Sequence, residues 1–135
     1  LDMTQTVEKI RRLGGIAVIA HPSVVIKTGL GTGITSASHI DAVEVINASA
    51  FPFFLSTYLG RRLAHRLALP QTAGTDAHYP EEIGNAYTII DADSNLDDVV
   101  EAVRQGKTKP LGKPISWVRR LERGSEGVQK GLRGL

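Results

Sequence analysis

Apolar positions along this chain fall into two alternating patterns, spaced rows and short runs. Val7, Ile10 and Leu13 recur every three residues, which predicts a helix from Thr4 to Leu13, capped by Thr4 and ended by Gly14-Gly15. Ile16 to Ala20 is a continuous apolar run, as expected of a strand buried on both faces. Ala42 to Ile46 predicts a second strand, Gln71 to Gly74 a third and Ala86 to Ile90 a fourth. Between them, Leu59, Leu63 and Leu67 share one face of a helix over Leu55 to Leu69. A further helix carries Leu96, Val99, Val100 and Val103. Ser94-Asn95-Leu96-Asp97 opens it as a capping box with Asp in place of Glu, and Gly106 closes it. Lys107 to Leu111 reads as a final strand, and Ser116 as the cap of a last helix with Trp117, Val118 and Leu121. Residues 21–37, rich in Gly, Ser and Thr, read as a long loop. Strands and helices alternate throughout, so the expected class is α/β, built from βα units on a parallel sheet.

In such folds the C-terminal ends of the strands carry the site. Three candidate metal ligands stand there. His21 follows the first strand in Ala20-His21-Pro22, while Asp76 and His78 follow the third in Gly74-Thr75-Asp76-Ala77-His78. Imidazole and carboxylate are usual ligands of divalent metals. The alternation Asp76-x-His78 sends both side chains the same way from an extended backbone. Taken singly, each has a plainer reading. A lone His after an apolar strand is more often a satisfied polar residue, and Asp76 can accept amide bonds within a turn. Their shared position at strand ends favours the metal reading.

Glu44 lies inside an apolar strand, where a carboxylate is costly unless paired or metal-bound. It is either a rim residue of the site or turned outward to solvent or to Arg61. Asn47 follows the same strand directly. Arg61, Arg62 and Arg66 surround His65 on a predicted helix; they can hold a substrate phosphate, although a solvated face is the commoner reading. Phe51, Phe53 and Phe54 read as core plugs. Gly31-x-Gly33 lacks the rest of a nucleotide fingerprint.

Composition narrows the setting. The 135 residues suffice for one domain, and 41% hydrophobic with 22% charged content is ordinary for a soluble globular protein. The absence of cysteine excludes disulfides and thiolate metal sites, and no apolar run approaches the ~20 residues of a membrane span. No membrane partner and a cytoplasmic setting are therefore expected. The net charge of +2 conceals an asymmetry: residues 1–106 hold 8 Lys/Arg against 12 Asp/Glu, and residues 107–135 hold 8 against 2. This basic C-terminal extension is read as a solvated face, or as an attractor of nucleic acid.

Several segments together resemble PHP-domain proteins, the polymerase and histidinol phosphatase group. Gly15-Ile16-Ala17-Val18-Ile19-Ala20-His21-Pro22 resembles the third motif of that family, and Ala73-Gly74-Thr75-Asp76-Ala77-His78 the fourth. Ile40-Asp41-Ala42-Val43-Glu44-Val45-Ile46-Asn47 is similar to the segment carrying a strand with Glu and Asn, and Ile83-Gly84-Asn85-Ala86-Tyr87-Thr88 also fits. The likeness is to stand-alone, histidinol phosphatase-like phosphoesterases. It implies a distorted (βα)7 TIM-like barrel, of which residues 1–135 form a single domain or a C-terminal fragment. It further implies a hydrolase that uses divalent ions (Zn, Mn, Fe or Mg) and metal-activated water on the phosphate ester of a small metabolite or nucleotide. His21 and Asp76 would then be metal ligands, with His78 on another ion. Asp76 and His78 would act in catalysis, and Glu44, Asn47 and Arg61 toward the substrate. The family's H-x-H motif and its second motif do not occur in the chain, so a complete centre is expected to need an N-terminal half or a second copy. The alternative is a non-catalytic module, binding metal, nucleic acid or a partner, derived from the half-barrel.

Overall fold

The computed structural model describes residues 3–22 and 40–124. The Gly-rich loop from 23 onward, His39 and residues 125–135 of the basic extension lie outside the described residues. Strands β1 (Val18–Ile19), β2 (Ala42–Asn47) and β3 (Gln71–Gly74) form one sheet in the order β1-β2-β3, with both pairings parallel. β2 is central and five of its six residues are buried, as its apolar run predicts. Its register with β3 shifts between Glu44 and Ile46, and the shift sets Asn47 opposite Gly74 at the C-terminal end. Such bulges re-aim side chains and recur beside functional sites.

Helix α1 (Met3–Arg12) precedes the sheet, and Gly14 ends its last turn with φ 81°. Helix α2 (Phe53–Leu67) connects β2 to β3 and buries Gly60, Leu63 and Ala64. It begins and ends two residues earlier than its leucine row predicts. Pro52 stands before the first turn, and Ala68 in the left-handed region (φ 51°) stops the helix, its amide reaching the carbonyls of Ala64 and His65. Pro70 then prevents any further helical turn.

The remaining strands depart from the parallel βα expectation. β4 (Ala86–Ile90) and β5 (Thr108–Gly112) pair antiparallel, from Ala86 opposite Gly112 to Ile90 opposite Thr108. Helix α3 (Leu96–Arg104) lies in the connection between them, and the Asp91 amide bonds the Lys107 carbonyl where that connection closes. The helix is an excursion at one end of a hairpin, not a crossover. Asn95, one residue later than predicted, caps it by accepting the Asp98 amide at 2.9 Å. The hairpin meets β3 through hydroxyls: Thr88 Oγ1 accepts the Ala73 amide at 2.8 Å and donates to its carbonyl at 3.1 Å, while Thr108 Oγ1 donates to the Gln71 carbonyl at 2.7 Å. The architecture is mixed α/β with an open sheet, and the described residues close no barrel.

The core gathers Val43, Val45, Ile46 and Ala48 from β2 and its exit against Leu63, Ala64, Ala86 and Ile115. One buried charge anchors its N-terminal side. Asp41 accepts the Arg11 guanidinium at 2.6 Å and the Ala17 amide at 2.8 Å, with Arg104 at 3.6 Å. Burial alone would raise the Asp41 pKa, but these partners outweigh it and hold the carboxyl below its ordinary value. Residues 117–124 are helical, and Ser116 Oγ accepts the Arg119 amide at 3.3 Å, as the cap reading predicts. No described helix is long and apolar enough to cross a membrane.

Candidate functional site

The C-terminal ends of β1, β2 and β3 bring four of the predicted site residues together. His21 and Asp76 each lie two residues past a strand and each adopt left-handed backbone, with φ 50° and 52°. For a non-glycine residue that conformation costs about 1–3 kcal/mol and concentrates at functional sites. Asn47, the last residue of β2 and only 6% exposed, stands between them. Its Nδ2 lies 2.7 Å from His21 Nδ1, 3.4 Å from Glu44 Oε2 and 3.5 Å from Asp76 Oδ2. Glu44 Oε2 accepts the His21 amide at 3.0 Å and sits 3.1 Å from His21 Nδ1. Of the two readings open for Glu44, the structure therefore takes the rim.

His78 and Arg61 stand apart. His78 Nδ1 is 3.0 Å from the Asp76 carbonyl, and its amide donates to Glu82 Oε2 at 2.8 Å. Arg61 is exposed on α2, and no hydrogen bond or ion pair joins it to the four among the described residues. Nor do the described residues gather three His, Asp or Glu side chains into one metal-ligand set. The cluster nonetheless suits a cation. Asn47 Oδ1 is buried without a hydrogen-bond partner, because the amide nitrogen faces the three neighbouring acceptors. Carboxylates beside an imidazole are the donor chemistry of a divalent ion.

Gly74 makes room for this arrangement. A Cβ there would run into Glu44 Oε1, the end of a flexible side chain. Gly74→Ala is therefore expected to leave global stability within about 1 kcal/mol while displacing the Glu44 carboxylate. Loss of its bond to the His21 amide should accelerate exchange of that amide roughly several-fold, on the usual worth of one hydrogen bond. Unchanged exchange at His21 would show that the carboxylate does not occupy this place.

A second layer holds the loops that present the cluster. Ser49 Oγ donates to the Asp76 carbonyl at 2.8 Å, and Thr75 Oγ1 donates to the Ala86 carbonyl at 2.8 Å. Glu82, in the 3-10 turn Pro80–Glu82, is 1% exposed and accepts the amides of His78 and Tyr79. Arg123 grips both oxygens of Glu82 and also donates to Ser49 Oγ at 3.1 Å. Arg120 donates to the carbonyls of Ser49 and Ala50, each at 3.0 Å, and of Ala48 at 3.4 Å. Burial alone would raise the Glu82 pKa, yet Arg123 and the two amides hold it below its ordinary value. Burial, then the Arg123 charge, lowers the pKa of Arg120.

Ser49, Glu82, Arg120 and Arg123 escape a reading of the sequence. Glu82 has a faint signal, lying four residues after His78 in Tyr79-Pro80-Glu81-Glu82. The two arginines belong to the basic extension, where charge alone suggests a solvated face; in the structure both turn inward.

No curated protein and no solved structure matches the chain. A protein-family model described as PHP-associated matches residues 58–108, which span the end of α2, β3 with Asp76 and His78, β4 and α3. Over these residues the chain is similar to the PHP-associated family, in agreement with the C-terminal part of a PHP domain.

Proposed function

We propose that this chain supplies part of the divalent-metal centre of a PHP-type phosphoesterase, acting on the phosphate ester of a small metabolite or nucleotide. The observation that carries this reading is the convergence of His21, Glu44, Asn47 and Asp76 at the C-terminal ends of three parallel strands. His21 and Asp76 would hold a Zn, Mn, Fe or Mg ion, with His78 serving a second ion. When bound, such an ion polarises the phosphate and acidifies water. Glu44 orients His21 through its backbone amide. Asn47 ties the imidazole to the Asp76 carboxylate. Arg61 lies on the helix that leaves the rim, and its charge suits an approaching phosphate. The remaining ligands would come from an N-terminal half or a second copy. β1, only two residues long, pairs among the described residues with β2 alone, and such an edge suits added structure. A cytoplasmic setting fits the cysteine-free sequence.

The test is hydrolysis of a chromogenic phosphate monoester by the protein containing this chain, before and after chelation and with Mn or Zn restored. We expect chelation to abolish turnover, metal to restore it, and Asp76→Ala with His78→Ala to lower it at least about 100-fold, the upper range for lost metal-site residues. Turnover indifferent to chelator, or surviving the double substitution, overturns the proposal.

One observation favours a second reading, a non-catalytic module: the described residues alone do not complete a ligand set. Lys107, Lys109 and Lys113 are exposed and offer a phosphate backbone positive charge. Nucleic-acid binding that weakens steeply with salt, in a chain without turnover, would select that reading.

A further inference from the structure

Two loops meet beside the strand-end cluster. The loop after β3 carries Asp76 and His78, and the loop after β2, which begins at Ala48, lies against it through Ser49. One side chain from the C-terminal helical residues touches the supports of both. The Arg123 guanidinium grips Glu82 through Nε and Nη2 and reaches Ser49 Oγ through Nη1. Each contact leads directly to a site residue. Glu82 accepts the His78 amide, and Ser49 donates to the carbonyl of Asp76, the residue in left-handed backbone.

We infer that Arg123 is a positioning residue for the candidate metal centre, clamping both loops so that Asp76 and His78 keep their orientation. The inference rests on the metal-centre reading above for its functional consequence, but the clamp itself is a statement about loop geometry. Three features favour a dedicated role over incidental packing. Glu82 is 1% exposed, so its charge is held at the expense of hydration. The guanidinium makes the two-pronged contact with a carboxylate that fixes direction as well as distance, which an ammonium cannot reproduce. The third N–H group bonds the other loop, so a single planar group sets the separation of the two. Arg119, on the same helical stretch, differs: it pairs with Glu122 at 2.8 Å and approaches Glu81 at 3.9 Å, all three side chains well exposed.

Arg123→Lys and Arg119→Ala separate these roles. The lysine keeps a positive charge beside Glu82, so the fold is retained, but it cannot bridge to Ser49. Two measurements are made on the protein containing this chain: amide hydrogen exchange at His78 and Tyr79, and Mn2+ affinity by electron paramagnetic resonance. In Arg123→Lys the His78 amide is expected to exchange about 10-fold faster and Mn2+ to bind about 10-fold more weakly, the scale typical of lost outer-layer support. Arg119→Ala should change neither. Ser49→Ala, which leaves the ion pair intact, should weaken Mn2+ binding in the same direction by a smaller factor. If exchange at His78 is no faster in Arg123→Lys than in Arg119→Ala, the clamp is overturned. If exchange changes as expected but the unaltered protein containing this chain takes up no Mn2+, the clamp stands and the metal-centre reading falls.

Discussion

Glu82→Ala is expected to destabilise the protein by about 3–5 kcal/mol, the usual cost of removing one partner from a buried ion pair. The loss has two sources. Arg123, 20% exposed at its side chain, would keep a charge without its counter-ion. The amides of His78 and Tyr79 would lose their acceptor at the same time. Arg119→Ala, which breaks only exposed contacts, should cost under about 1 kcal/mol. Urea unfolding of the two variants gives the comparison, and a loss below about 1 kcal/mol in Glu82→Ala would mean that the carboxylate is not buried against Arg123. Acid provides an independent lever. The folded state holds the Glu82 pKa below its ordinary 4.5 and the Asp41 pKa below 3.8, so the unfolded chain takes up those protons more readily. Each stabilising contribution is complete above the ordinary pKa and disappears as pH falls through the lower, folded value. Stability should therefore fall with acidification below about pH 4.5, and less steeply in Glu82→Ala.

Gly60→Val should cost about 3 kcal/mol, at the upper end for overpacking. A Cβ at this position would lie 3.0 Å from Val45 Cα and 3.2 Å from the Val45 carbonyl oxygen. Both atoms are backbone of the central strand, so neither can swing aside. Alanine is a closer contest. It gains about 1 kcal/mol of helix propensity over glycine, which offsets much of the tight contact, and Gly60→Ala should remain within about 1 kcal/mol of the parent. Valine adds two more carbons against the same backbone and must push α2 away from β2. Because β2 carries Glu44 and Asn47, the displacement should also reach the site. Thermal or urea unfolding checks the order; parent-like stability in Gly60→Val would show that the helix does not sit on the strand at this distance.

Strand positions were legible where the local pattern was enough. Gln71–Gly74 and Ala86–Ile90 have the bounds their sequence predicts, Pro70 and Gly74 delimiting the first. Strand direction was not legible. An apolar run records which faces are buried, and the antiparallel pairing of β4 with β5 depends on where α3 leaves the chain pointing. The site divides in the same way. His21 and Asp76 were legible because position at a strand end is a local property. Glu44 could be narrowed only to two orientations, since a carboxylate in an apolar strand needs a partner that the strand does not name. Arg61 was singled out for its charge alone, and no described contact ties it to the cluster. Arg123 and Glu82 stand 41 residues apart and were invisible, because counting charge in the basic extension says nothing of where each charge points.

The reach of Arg120 bears on the order in which the protein is made. Its guanidinium bonds the carbonyls of residues 48 to 50 across as many as 72 positions of sequence. Ile115 adds its own amide to the Ala48 carbonyl. On the ribosome, where chains emerge from the N-terminus, the sheet strands are all available before these partners exist. The loop after β2 must then wait with unpaired carbonyls until the residues around 120 emerge. Support of the loop after β2 is thus a late event of synthesis, following the sheet on which the rim stands.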